Sequence, residues 1–428
     1  MSDAARHHKL GFWMCLALVM GNMIGSGVFL LPASLAPYGW NAVAAWVATI
    51  AGAVALGLVI ARLTRALPEA NGAIGIVEHV WGTIPGFVIG WAYWVSIWTA
   101  VVTIAVAAIS YASAFVPVLG RWPGVSALVL MWLLILVNLR GARAAGGFQL
   151  ATTILKLMPL IAVILIIGVI LARDGTARLA PWPSEGLALG QINTAATLTL
   201  WALLGFESAT ICANKIDRPE VTIPRSTVAG VIATGLIYLI VCSGIELMLP
   251  AAEAAASPAP FGLFVEREWG PGAGLAISAF AAISAIGALN GWILLQGELP
   301  LDMARRAMLP PWLAATDATG TPARALIVSG LLASVLVLLQ SGSGTADLFK
   351  FMLLISTSAN LWFYLAASLT ALRLRLVVPV AAFGALYSLW TLWGAGVEAS
   401  SWCLGLMALG LPVYLWVRRS RPAVQPAE

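Results

Sequence analysis

Long apolar runs separated by short polar connections fill this chain. Runs of spanning length, about 20 residues each, lie near 11–36, 41–62, 83–116, 122–139, 148–172, 190–214, 224–249, 271–299, 325–341, 347–372, 376–394 and 397–417. The pattern predicts an all-α integral membrane protein of twelve transmembrane helices. Gly394 and Gly396 mark a tight turn between the last two. The polar connections near 173–189 and 300–324 are the longest, and neither is long enough for a soluble domain.

Two of the runs are interrupted. The first carries Gly21-Asn22-Met23-Ile24-Gly25-Ser26-Gly27-Val28-Phe29-Leu30-Leu31-Pro32, with three glycines and two polar residues at its centre. Unpaired backbone groups in lipid cost several kcal/mol each, so a break of this kind survives only where it lines a cavity or is buried in protein. The sixth run carries Thr199-Leu200-Trp201-Ala202-Leu203-Leu204-Gly205-Phe206-Glu207-Ser208-Ala209-Thr210, again a glycine and polar cluster inside an apolar segment. Interrupted helices at corresponding places in two halves point to a substrate site near the membrane midplane. Helices one and six being five apart, the expected architecture is a five-plus-five inverted repeat. It forms one transporter domain over 1–428, with repeats over 1–172 and 188–372 and two additional helices and a tail over 373–428.

Composition agrees with the pattern: 61% of residues are hydrophobic, 10% are charged and the mean hydropathy is +0.94. Basic residues test the segmentation, because they collect on the cytoplasmic loops. Seventeen fall at the termini and the even-numbered turns on one side, and four, Arg121, Arg173, Arg178 and Arg267, fall on the other. Both termini are therefore expected in the cytoplasm, and the net charge of +5 reads as membrane anchoring rather than nucleic-acid binding. No cleavable signal peptide is expected, since the first apolar run is too long. Cys15, Cys212, Cys242 and Cys403 have no paired spacing, and His7, His8 and His79 form no metal constellation. No cofactor or metal is implied, and with no nucleophile–base pair in the spans an enzyme is not expected.

A broken helix exposes backbone groups of two kinds. Amides around Ser26 and Gly27, at the start of the second half of helix one, suit a carboxylate. Carbonyls around Trp201 and Ala202, ending the first half of helix six, suit an ammonium. A carboxylate and an ammonium on one small molecule describe an amino acid. Gly21-x-x-x-Gly25 is also a small-residue packing motif, but the second interrupted helix favours the site. Glu207 is the sharpest single residue, because an acid inside a span costs roughly 2.5–3.5 kcal/mol and is by default a functional candidate; it is read as a gate and pH sensor. Glu246, Glu298 and Lys156 lie nearer span ends, where they are expected to reach the interface.

The two interrupted stretches, the second continuing as TLWALLGFESATICANKIDRPEVTIPRSTVAGV from Thr199 to Val231, resemble the basic amino-acid/polyamine antiporters of the amino acid–polyamine–organocation superfamily, and most closely their arginine/agmatine branch. The resemblance runs from His8 to about Trp416. It implies a homodimeric exchanger in the bacterial inner membrane that trades an amino acid for its decarboxylated amine by alternating access. Position by position, it implies that Ser26 and Gly27 form the carboxylate turn, with Met23 as a nearby wall. Trp201 would close over the substrate, and Ala202 and Leu204 would meet its amine and stem. Trp292 and Ser356 would complete the pocket, and Tyr93, Glu207 and Tyr364 would form a gate. Ser96, Ile97 and Val101 depart from the branch, which has alanine, cysteine and asparagine there, the last two touching the guanidinium. Expected is arginine/agmatine exchange, with an ornithine/putrescine-type exchanger or a neutral amino-acid transporter or exporter as alternatives.

Overall fold

The computed structural model describes residues 11–25, 27–67, 70, 72–139, 156–207, 216–317, 320–340 and 342–419. Every regular element among them is a helix: α1 (Phe12–Met23), α2 (Leu31–Leu35), α3 (Trp40–Ala66), α4 (Gly72–Trp81), α5 (Thr83–Ala112), α6 (Val118–Arg121), α7 (Pro123–Asn138), α8 (Leu157–Asp174) and α9 (Leu189–Leu203), then α10 (Pro219–Met248), α11 (Ala251–Ala256), α12 (Pro260–Trp269), α13 (Pro271–Arg305), α14 (Ala323–Leu339), α15 (Thr345–Arg373), α16 (Val378–Gly394), α17 (Gly396–Ala408) and α18 (Gly410–Arg419), with short 3₁₀ turns besides.

Among the described residues seven helical segments are long and apolar enough to cross a membrane: α3, α5, α8, α10, α13, α15 and the continuous α17–α18. α1, α7, α14 and α16 are shorter apolar helices. The chain is a multi-pass membrane protein. Helices that are apolar on all sides have only two fates, the lipid face or the centre of the bundle. α5 takes the centre, with nearly all of its apolar stretch buried, and α15 lies against it. α8 and α17–α18 take the periphery and present Leu165, Val169, Val397 and Trp416 outward.

Small residues set the closeness of the packing. On α10, Gly230 faces Val19 of α1, Gly235 faces Ile50 of α3 and Gly244 faces Ile167 of α8, each leaving no room for a β-carbon. One helix is thereby locked to three, including the first half of the broken first span.

The structure departs from the pattern at the edges of the spans. α13 runs through Pro300 to Arg305, six residues beyond the apolar run, because its last turn is held by polar contacts: Arg306 bonds Asp302 at 2.8 Å and lies 3.6 Å from Glu78 of α4. α4, α11 and α12 lie in connections where no helix was expected, since hydropathy finds spans and not short helices lying across their ends. The expected fifth span begins in the segment 148–155, outside the described residues, and its described helix starts at Leu157.

Candidate functional site

The two interruptions meet inside the bundle. α1 stops at Met23: Ile24 turns extended at ψ 121° after its amide bonds Met20, and Gly25 and Gly27 follow at φ +107° and +126°. Only glycine adopts such angles without strain. Among the described residues the amides of Gly27, Val28 and Phe29 bond no backbone carbonyl, so three donors stand open before α2 begins. α9 ends in a similar way: Leu204 turns out at ψ 145° and Gly205 takes φ +102°. Ser26 and the continuation of the sixth span, residues 208–215, lie outside the described residues.

Trp201 covers the first break. Its ring lies where a β-carbon on Gly27 would sit, and it meets Phe349 of α15 edge-on with centroids 5.8 Å apart. Gly27 is thus required twice, for its dihedral and for the indole stacked on it.

Glu207 closes the second break. Tyr93 of α5 donates to one carboxylate oxygen at 2.9 Å, Tyr364 of α15 donates to the other at 3.0 Å, and the Gly205 amide donates to that same oxygen at 3.2 Å. Three donors from three segments converge on one buried acid, 3% exposed. Stacked rings brace them: Tyr93 on Phe363 at 4.9 Å and Tyr364 on Phe206 at 5.2 Å. The three residues that the resemblance joins therefore lie in contact, and Glu207 also opens onto a small cavity lined by Asn22, Tyr93, Gly205, Gly291, Trp292 and Leu295.

The remaining expected residues divide into those that face this region and those otherwise engaged. Trp292 lines the cavity. Ala202 and Leu204 are buried at the end of α9. Met23 is buried, and its carbonyl is taken by the Tyr238 hydroxyl of α10 at 2.9 Å. The hydroxyl of Ser96 bonds the Tyr93 carbonyl within α5, and the Ser356 hydroxyl bonds the Ser96 carbonyl at 2.8 Å, so these serines join α5 to α15. Ile97 and Val101 are fully buried and bring no polar group.

Two expectations need correction. Lys156 does not reach an interface: it is 1% exposed, and its ammonium donates to the Gly21 carbonyl at 3.1 Å while its stem passes Gly25. Position along an apolar run misplaced it, because the run begins well before the described helix and so puts residue 156 inside the bundle. Glu246 is likewise buried, 2% exposed, two residues from the end of α10; Glu298 is exposed as expected. Asn22, Gly291 and Leu295 were not singled out. Asn22 stands within the glycine stretch of the first run, while Gly291 directly precedes Trp292, Leu295 follows it by three residues, and neither carries a chemical signal.

Comparison with known proteins follows from this geometry. The amino acid permease family model matches residues 10–420. The chain is 30% identical over 349 residues to the cadaverine/lysine antiporter of Escherichia coli (strain K12), covering 80% of this chain and 78% of that one. It is 27% identical over 428 residues to the putrescine transporter PotE of Haemophilus influenzae, covering 97% and 98%, and 26% identical over 427 residues to PotE of Escherichia coli (strain K12), covering 96% of each. The chain belongs to the amino acid permease family.

Proposed function

We propose that this amino acid permease is an antiporter that exchanges a straight-chain diamino acid, lysine or ornithine, for the diamine left by its decarboxylation. The observation that carries this reading is the held carboxylate of Glu207 beside Trp292, together with the apolar pair Ile97 and Val101. Glu207 and the face of Trp292 suit an ammonium by charge and by cation–π attraction. A guanidinium presents five donors and would leave some unpaired against Ile97 and Val101, whereas a terminal ammonium has three. The relatives named for cadaverine, lysine and putrescine support the diamine pair over arginine and agmatine.

In this reading the amino acid's carboxylate sits on the open amides that begin at Gly27, beside Ser26, and its α-ammonium on the carbonyls ending α9. Trp201 closes over it, and the bundle containing α1, α3, α9 and α10 rocks about the rest. The five-plus-five inverted repeat, cytoplasmic termini, a homodimer and a bacterial inner-membrane location belong to the same proposal. A diamine has no carboxylate, so it binds through its cationic ends alone.

Counterflow into proteoliposomes tests the reading. Vesicles loaded with lysine, ornithine or arginine should accumulate labelled lysine or ornithine, and cadaverine or putrescine should compete better than agmatine. Agmatine and arginine competing best would restore the guanidinium reading. Leucine competing best would mean that Ile97 and Val101 select neutral side chains.

A further inference from the structure

Glu207 serves the proposed exchange, and a second buried acid is left without a role. Glu246 is 2% exposed, and neither carboxyl oxygen has a hydrogen-bond partner. A buried carboxyl in a span is expensive to keep, and one with no donor beside it is rarer still. Its position is specific. Tyr238, Cys242 and Glu246 follow one another at four-residue intervals and so share a stripe of α10. Tyr238 bonds the Met23 carbonyl. Cys242 lies beside both Tyr238 and Tyr111 of α5, and Tyr111 donates to the Phe29 carbonyl at 2.5 Å. The stripe therefore borders both ends of the α1–α2 connection, where the open amides lie.

Among the described residues no cation compensates Glu246. The titratable group beside it is Cys242 on its own helix, and Tyr238 and Tyr111 stand beyond that thiol. α1, α2 and α9 carry no charged residue, and the basic residues of α3, Arg62 and Arg65, stand at its opposite end. On α8, α11, α12 and the segment after α8, the charges are exposed or pair with one another: Arg173 with Asp174, Arg178 with Glu268, and Arg267 with Glu253, while Glu266 is exposed. A carboxyl walled off in this way has no partner to take but a proton.

We infer that Glu246 is a proton-binding site, separate from the amine-binding carboxylate Glu207, that trades its proton with the outer solution only when α10 and the α1–α2 connection part together from α5, breaking the bond of Tyr111 to the Phe29 carbonyl. The coupling rests on the exchange reading above; the proton site does not. On opening, the O–H bond of Glu246 breaks, the proton passes to outer water and the carboxylate is hydrated. On closing, the water leaves and the carboxylate takes a proton back from the same outer water, so each opening releases one proton and each closing binds one, with no net transfer across the membrane. The groups bonded to Glu207 are different ones, and neutralising Glu207 leaves this site intact.

Two measurements on the full chain test the inference. Infrared spectra of the purified protein at neutral pH should show the carbonyl stretch of a protonated carboxyl free of hydrogen bonds, lost in Glu246→Gln and kept in Glu207→Gln. Its absence from the wild type, or its persistence in Glu246→Gln, overturns the site. In a weakly buffered solution holding a pH-sensitive dye, adding lysine to the purified protein should close the outer mouth and draw up to one proton per chain from the solution, and Glu246→Gln should keep labelled substrate exchange in proteoliposomes and lose the proton signal. Glu246→Asp, which restores a carboxyl, should recover it. A wild type that exchanges substrate and takes up no proton on adding lysine, or an unchanged proton signal in Glu246→Gln, overturns the coupling. A wild type that shows the band and exchanges no amine or amino acid refutes the exchange reading and leaves the proton site standing.

Discussion

The ammonium of Lys156 donates to the carbonyl of Gly21, 3.1 Å away, from a side chain that is almost wholly buried. The bond answers a need created by the break in α1. In a continuous helix the Gly21 carbonyl would accept from the amide four residues on. Here Ile24 has already left the helix, and the lysine supplies the missing donor. Lys156 thereby ties α8 to the end of α1.

Lys156→Met keeps the stem and removes the donor. The Gly21 carbonyl is then buried and unsatisfied, and loss of a hydrogen bond from a charged group costs about 1.5–3 kcal/mol. The variant should unfold at lower temperature in detergent and should transport poorly even where it folds. A variant with wild-type stability and wild-type exchange would show that the tie does not hold the break.

Gly27→Ala combines two penalties, a β-carbon at φ +126° and a collision with the Trp201 ring. Strain from a residue held in a sparsely populated backbone region is about 1–3 kcal/mol. The collision is a separate matter and belongs to the pair. Trp201→Leu should therefore relieve part of the damage, so that the double variant is more stable than the sum of the two single changes allows. Strict additivity in thermal unfolding would mean that the indole moves aside without cost. On its own, Trp201→Leu should bind substrate and fail to exchange it.

Tyr93→Phe and Tyr364→Phe each remove one donor from Glu207 and leave the stacked rings in place. Hydrogen bonds to a charged group are worth about 1.5–3 kcal/mol each. Because either tyrosine leaves the other and the Gly205 amide in position, each single change should weaken amine binding about tenfold, the equivalent of about 1.4 kcal/mol. The double change should lose more than the product of the two. Glu207→Gln should abolish binding of diamines and flatten the pH dependence of transport. Isothermal titration with cadaverine and transport across a pH series measure both effects. Undiminished cadaverine affinity in Glu207→Gln would remove this acid from the site.

Much of this arrangement was legible because the signals were local. The breaks at Gly25–Gly27 and at Gly205 announce themselves as glycine and polar residues inside apolar runs, and Glu207 stands out as a charge in a span. The trio of Tyr93, Glu207 and Tyr364 came from resemblance to a family, since nothing in spacing joins positions on α5, in the turn after α9 and on α15. Lys156 was misread because hydropathy reports how apolar a stretch is and not how deep one of its residues lies. Asn22 was overlooked for another reason: inside a glycine-rich break a polar side chain either fills a turn or faces the cavity, and only the assembled helices separate the two. The short helices α4, α11 and α12 escaped notice because they lie across the ends of the bundle, where no run of spanning length is needed.

Val101→Asn probes what selects the substrate's far end. Val101 and Ile97 are buried on α5, one turn apart, and neither offers an acceptor. A guanidinium placed against them would be stripped of water on some of its donors, and an unsatisfied buried polar group costs about 1–3 kcal/mol. An asparagine carbonyl at position 101 would answer one of those donors and should improve competition by arginine and agmatine relative to lysine and cadaverine by about tenfold or more, the equivalent of about 1.4 kcal/mol. The same amide has no partner when the pocket is empty, so the variant should be less stable than the parent without ligand and should regain stability with arginine bound. Thermal unfolding with and without arginine, alongside counterflow, reads both arms. If selectivity does not move while stability falls, Val101 packs against other helices rather than against the substrate, and the far end of the pocket must be sought along Trp292 and Leu295.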